Sequence, residues 1–320
     1  MKQFFFPIAI FLLIGCKKDS DTPTSPETSG WLAANSGLTN TVITSFAVID
    51  TNLFAGTQGG GVFLSTNNGE LWRPVNTGLT NLYIAALGVS NTNLFAATND
   101  GCLLSTNSGA SWNLANAGLT SGVIDFLESG TNLYAATYED GIFVSTNNGT
   151  TWTTVNTGLT SLSVWALIQH PGDVTESLVA GTEGGGVFQS SNSAANWTQT
   201  SLDTVAVSCF VTIGTNLFAG TRFVPFGFNP AGVFLSTDNG VTWSPINAGL
   251  KSVDISSLRY IGSNLYAGTY DEGVSVSANN GGTWTPMNSG LTNLTVLRMC
   301  AKGSYLFVGT HGGGVFRMQP

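Results

Sequence analysis

The chain has 320 residues, ten of them basic and 18 acidic, for a net charge of −8. A hydrophobic share of 42% supplies a large core and excludes a disordered chain, while a charged share of 9%, against roughly 25% in ordinary soluble domains, excludes coiled coils and charged helical bundles. The acidic balance argues against nucleic acid as a partner, and 40 glycines point to a turn-rich β protein covered by hydroxyls and amides.

At the N-terminus, Lys2 precedes an apolar run from Phe4 to Ile14, followed by Gly15 and Cys16. A basic start with so short an apolar stretch reads as a secretory signal, not a spanning helix. The segment Leu13-Ile14-Gly15-Cys16 resembles the lipobox of bacterial lipoproteins. That resemblance implies a signal peptide over 1–15, lipid attachment at Cys16, and a bacterial cell-envelope location, with Lys17 directing the chain to the outer membrane. A plain signal peptide cut near Cys16 is the alternative. Residues 16–30 form a polar, proline-containing tether that would hold a folded domain clear of the bilayer. The remaining cysteines, Cys102, Cys209 and Cys300, are odd in number and unpatterned in spacing, so buried free thiols are expected rather than disulfides. With only His170 and His311, no zinc or other metal site and no cofactor is expected.

From Trp31 onward one unit recurs. Leu-Phe-Ala-Gly-Thr at 53–57 returns with small variations at 94–98, 133–137, 178–182, 217–221, 265–269 and 306–310. Trp72, Trp112, Trp152, Trp197, Trp243 and Trp284 give a second landmark, and Trp31 a seventh. In the first full copy, Val42 to Ile49, Leu53 to Gly56, Val62 to Ser65 and Trp72 to Val75 read as four short strands separated by tight Gly/Asn turns. Four strands in a period of 39 to 48 residues make a propeller blade, and seven copies make an all-β, seven-bladed β-propeller over 31–320. The last copy stops after its third strand, Gly314 to Met318, and the first begins with a lone fourth strand. The N-terminal strand (31–37) is therefore expected to complete the C-terminal blade and close the ring.

The segments 65–72, 105–112, 145–152, 190–197, 236–243 and 277–284 resemble the Asp box, Ser-x-Asp-x-Gly-x-Thr-Trp, of sialidases, sortilin-type propellers, xyloglucanases and photosystem-assembly propellers. Only Asp238 supplies the acid; Asn67, Asn107, Asn147, Asn192 and Asn279 replace it elsewhere. Asparagine still accepts from backbone N–H groups in a turn, so the box reads as a structural corner with its tryptophan packed between blades.

Function is expected where the copies disagree. The residue after each Gly-Thr or Ala-Thr changes from copy to copy: Gln58, Asn99, Tyr138, Glu183, Arg222, Tyr270 and His311. These seven are predicted to ring one channel mouth, with Asp100, Glu139, Asp140, Asp271 and Glu272 making that face acidic. Aromatic groups beside amides and carboxylates suit a carbohydrate or protein ligand, although exposed loop positions also drift without selection. Two insertions break the period: 222–230, rich in phenylalanine, reads as an apolar lip, and 169–177 as a polar turn.

Resemblance to sialidases would imply an arginine cluster and a Tyr–Glu pair. Arg222, Arg259 and Arg298 are the candidates, but Arg259 and Arg298 read as offset by one position in the repeat and so as facing different ways. Other glycoside hydrolases need two carboxylates roughly 5 to 9.5 Å apart. Asp125, Glu128 and Asp254 each read as isolated, and only a pair such as Asp140 and Glu183 could meet at the mouth. The expectation is a monomeric, lipid-anchored extracytoplasmic binding or assembly scaffold without catalytic residues, contacting membrane only through its lipid. An Asp-box glycoside hydrolase is the alternative.

Overall fold

A computed structural model describes residues 30–170, 177–222 and 231–320. Residues 1–29, and with them the signal segment, Cys16 and nearly all of the tether, lie outside the described residues, as do 171–176 and 223–230 from the two insertions.

Seven four-stranded antiparallel sheets make up the described chain. The first blade runs Ile43–Ile49, Asn52–Thr57, Gly61–Ser65 and Arg73–Pro74, within a residue or two of the predicted strands. The inner strands of blades 2 to 7 are Ile84–Ser90, Val123–Ser129, Val164–Gln169, Ala206–Ile213, Ile255–Ile261 and Val296–Lys302. Blade 7 is completed by Leu32–Ala33, paired antiparallel with Val315–Met318, so both termini hold one sheet as the truncated copies require.

The second strand of each blade is buried along almost its whole length, because it lies inside the sheet and is covered on both faces by neighbouring blades. The outer strands, two residues each, are exposed. The core is accordingly seven layers, each between two blades; Phe54, Leu64 and Val75 of blade 1, for instance, pack on Ile84, Leu94 and Trp112 of blade 2. Among the described cysteines no disulfide forms. Cys102 and Cys209 are buried as expected, and burial pushes both thiols up. Cys300 departs from the expectation and is half-buried, since it lies on the inner strand of blade 7 near its last turn.

Each Asp-box corner is a closed hydrogen-bond circuit. In blade 1 the Ser65 hydroxyl donates to Asn67 Oδ1 (2.9 Å) and accepts from the Gly69 N–H (2.8 Å), while Asn67 Oδ1 accepts from the Leu71 N–H (3.0 Å). Asp238 plays the same part in blade 5, accepting from the Thr242 N–H (2.9 Å). This is the corner expected from sequence.

A second device joins the blades. The tryptophan after each box donates its backbone N–H to a carbonyl just past the preceding blade's outer strand, and its indole N–H to another. Trp152 bonds Ala117 (2.9 Å) and Ala115 (3.0 Å), and Trp31 bonds Ser289 (2.8 Å) and Met287 (2.7 Å). Six of the seven junctions carry this clasp. Trp243, between blades 4 and 5, instead returns its indole N–H to Gly240 of its own corner (2.9 Å).

Candidate functional site

Antiparallel register puts the turns between second and third strands at the end where the inner strands begin, opposite the Asp boxes. Ile43 faces Thr57 in blade 1 and Ile255 faces Thr269 in blade 6. The predicted ring residues all lie at this end. Gln58, Tyr138, Glu183, Tyr270 and His311 donate their backbone N–H groups to Val42, Gly122, Ser163, Asp254 and Thr295, each just before the inner strand of a blade. Gln58, Asn99, Tyr138, Glu183 and His311 are exposed, Tyr138 by 53%. Glu183 accepts from the Ser163 hydroxyl (3.0 Å). Of the acidic neighbours, Asp100 accepts from Asn81 (3.3 Å) and Asp140 from Thr120 (2.5 Å).

Two of the seven ring side chains meet. The Arg222 guanidinium lies 4.2 Å from the centre of the Tyr270 ring and 5.2 Å from that of Trp165, with Asp254 at 3.6 Å. The cluster draws Trp165 from blade 4, Arg222 from blade 5, and Asp254 and Tyr270 from blade 6. Cation–π attraction of this kind contributes about 1 kcal/mol where partly desolvated. Asp254 therefore does not stand alone, contrary to expectation. Trp165 was missed because it stands at an extra inner-strand position: the register shifts between Val164 and Ala166. The sequence signal was available, since a tryptophan outside the repeated Trp landmark occurs only there.

The described wall of the channel also carries charge. A cavity of about 160 Å³ is lined by Asp125, Trp165, Ser208, Cys209, Ser256, Ser257, Arg259 and Arg298, among others. The expected divergence of Arg259 and Arg298 is overturned. Arg298 pairs with Gly309 and Ser257 with Gly268, so Arg298 corresponds to Ser257 and stands two positions, not one, from the place of Arg259. With a side-chain period of two, an even offset returns both to one face.

Asp125 is not isolated either. It accepts from the Phe126 N–H (3.0 Å) and from the Leu167 N–H of the next blade (2.9 Å). Burial pushes its carboxyl up, opposed by the Leu167 N–H and then by Arg298, the Phe126 N–H and Arg259. Ser257 does the same bridging work between blades 6 and 7, accepting from the Met299 N–H (3.1 Å). Glu128 sits at the other end of its strand and accepts from Ser90 and the Asn91 N–H (both 3.1 Å), a tie between blades 3 and 2. A separate groove of about 500 Å³ lies at the junction of blades 4 and 5, lined by His170, Gln189, Asn192, Asn196, Thr198 and Asn239 among others. Among the described residues no cluster of three or more His, Cys, Asp or Glu offers a metal site.

The model of the BNR/Asp-box repeat matches residues 234–245, the corner that retains its aspartate. No curated protein matches the chain. Among solved structures, the extracellular domain of the putative one component system BT4673 from B. thetaiotaomicron aligns with a TM-score of 0.73 at 18% identity, over 90% of this chain and 40% of that one. The chain thus spans less than half the length of that domain. YCF48 bound to D1 peptide aligns with a TM-score of 0.71 at 14% identity, covering 91% and 94% of the two chains. The GH74 xyloglucanase from Xanthomonas campestris aligns with a TM-score of 0.70 at 15% identity, covering 90% and 53%. At such identities the likeness is one of fold: the chain is a seven-bladed β-propeller, and one of its corners, 234–245, matches the Asp-box repeat.

Proposed function

We propose that this propeller is a non-catalytic, monomeric scaffold, anchored in the bacterial outer membrane by a lipid on Cys16, that binds a protein ligand at the rim where its inner strands begin. The observation that carries the reading is the Arg222 cluster. A guanidinium between two aromatic rings, beside a carboxylate and at a rim with exposed Tyr138, has the composition of a protein-recognition hot spot. A fold-level likeness to a propeller bound to a peptide and to extracellular bacterial domains supports it by analogy. The channel cavity offers one carboxylate, Asp125, whereas glycoside hydrolysis uses two, which weighs against the hydrolase alternative.

The test is a crosslinking pull-down from native membranes with the full chain, run beside a Tyr138→Ala/Tyr270→Ala variant and a glycan array. Specific protein partners captured by the wild type and lost from the variant support the reading. Identical capture by both, or binding to glycans without any protein partner, would overturn it.

A further inference from the structure

We propose that the channel cavity is a binding site for a small monocarboxylate, held by Arg259, Arg298 and Ser256. The two guanidiniums come from the inner strands of blades 6 and 7 and line one cavity. Arg259 donates to the Leu258 carbonyl (2.7 Å); Arg298 donates to those of Leu297 (3.0 Å) and Ser256 (3.4 Å). Among the described residues neither makes an ion pair. A guanidinium has five N–H donors and keeps its proton, so these two retain unused donors and charge that cannot be discharged. Ser256 adds an independent sign: it is fully buried, lines the same cavity, and its Oγ has no hydrogen-bond partner among the described residues. The hydroxyls at the matching positions, Thr44 and Ser208, each donate to a carbonyl of the following blade. Ser256 departs from that pattern in the blade whose inner strand faces Arg298.

Charge and size select the ligand class. Asp125 is the only carboxylate in the lining, and both of its oxygens already accept backbone N–H groups. Two half-buried cations beside a single carboxylate leave an excess of positive charge, a place for a further anion. A volume of about 160 Å³ has room for a ligand of a few heavy atoms beside the guanidiniums. The planar fork of arginine matches a carboxylate, with the Ser256 hydroxyl as a further donor. The cavity shares Trp165 with the rim cluster, but Tyr138 and Tyr270, whose variants test the rim reading, lie outside its lining.

The experiment is calorimetry and thermal unfolding of the purified full chain with acetate, pyruvate, phosphate and chloride at constant ionic strength, and acetamide as the uncharged isostere. Acetate or pyruvate should raise Tm saturably, as a ligand bound only to the folded state does, and acetamide should not. Arg259→Gln and Arg298→Gln should each weaken carboxylate binding roughly tenfold or more. Arg73→Gln, on the exposed outer strand of blade 1, should leave it unchanged. Ser256→Ala removes only a hydroxyl and reads the site even where a glutamine variant fails to fold; a loss of roughly threefold is expected. Equal effects of all the anions, binding of phosphate or chloride alone, or unchanged carboxylate affinity in Ser256→Ala and Arg298→Gln would overturn the proposal.

Discussion

Six junctions between blades are near copies of one another, and the seventh, between blades 4 and 5, is not. At the six, the chain leaves the outer strand through Asn-x-Gly-Leu (35–38, 76–79, 116–119, 156–159, 247–250 and 288–291), and the carbonyl of x receives the next tryptophan N–H. After blade 4 the chain reads Thr200-Ser201-Leu202, without the Asn-x-Gly, so Trp197 of blade 4 is clasped by blade 3 while Trp243 finds no such carbonyl. Other bonds take over. His170 Nε2 lies 3.0 Å from the Asn239 carbonyl, which also accepts from Gln189, and the Ser201 N–H donates to Val241 (3.3 Å). The groove of about 500 Å³ opens there, and the rim cluster of Trp165, Arg222 and Tyr270 spans blades 4 to 6. The contrast is one of how the tryptophan is used: the regular junctions share its clasp beside side-chain ties such as Glu128 to Ser90, and at the irregular junction His170 and Gln189 bond the Asn239 carbonyl in its place.

Damage to a regular junction should have the largest effect. Gly118 has φ +96°, and a Cβ there would lie 2.2 Å from the Trp152 carbonyl oxygen, which belongs to the next blade. Backbone cannot retreat as a side chain tip does, so Gly118→Ala must open the clasp or strain it. A loss of about 3 kcal/mol or more in urea unfolding is expected. A loss under about 1 kcal/mol would mean that the clasps contribute little and that the irregular junction is no weaker than the rest.

A middle-sized effect compares the two kinds of tryptophan. Trp152→Phe leaves the buried Ala115 carbonyl without its indole donor across a blade boundary. Trp243→Phe leaves Gly240 without a donor within its own corner, at a half-buried site. An unsatisfied buried acceptor costs about 1 to 3 kcal/mol and a partly solvated one much less, so the Trp152 variant should be the less stable of the two by about 1 kcal/mol. Equal losses would show that indole packing, not the interblade bond, dominates at both sites.

The fold was almost wholly legible because a propeller repeats its signals. Seven copies of a buried second strand, six Asp-box corners and two complementary fragments at the ends leave little choice of architecture. The site was legible only in part. The ring position was found by its variation, and Arg222 and Tyr270 do meet. One feature escaped because of the bulge near the start of every inner strand, which adds a residue such as Trp165 or Ser256 that the simple alternation does not place. Arg259 and Arg298 read as diverging through a miscount: they stand six and eight positions before Leu265 and Leu306, an even offset that the hydrogen-bonded register also gives. Asp125 read as isolated because its partners lie one and three or more blades away in sequence, at Leu167, Arg259 and Arg298.

The smallest predicted effect concerns the one Asp-box corner that has lost its glycine. In the corner of blade 4 the glycine of the Asp box is replaced by Ala194, held at φ +67° and fully buried, while its counterparts Gly69, Gly109, Gly149, Gly240 and Gly281 adopt φ between +77° and +86° without a side chain. Left-handed conformation costs an alanine about 1 to 2 kcal/mol. Glycine would remove that cost but give back part of it through the freedom of its unfolded chain. Ala194 also packs with Trp197 and Leu178, so its methyl has some value in place. Ala194→Gly should therefore stabilise the protein by only about 0.5 kcal/mol, read as a small rise in the urea midpoint at constant slope. A fall in stability instead would mean that the methyl's packing outweighs the strain, and that blade 4 has adapted to its altered corner rather than merely tolerating it.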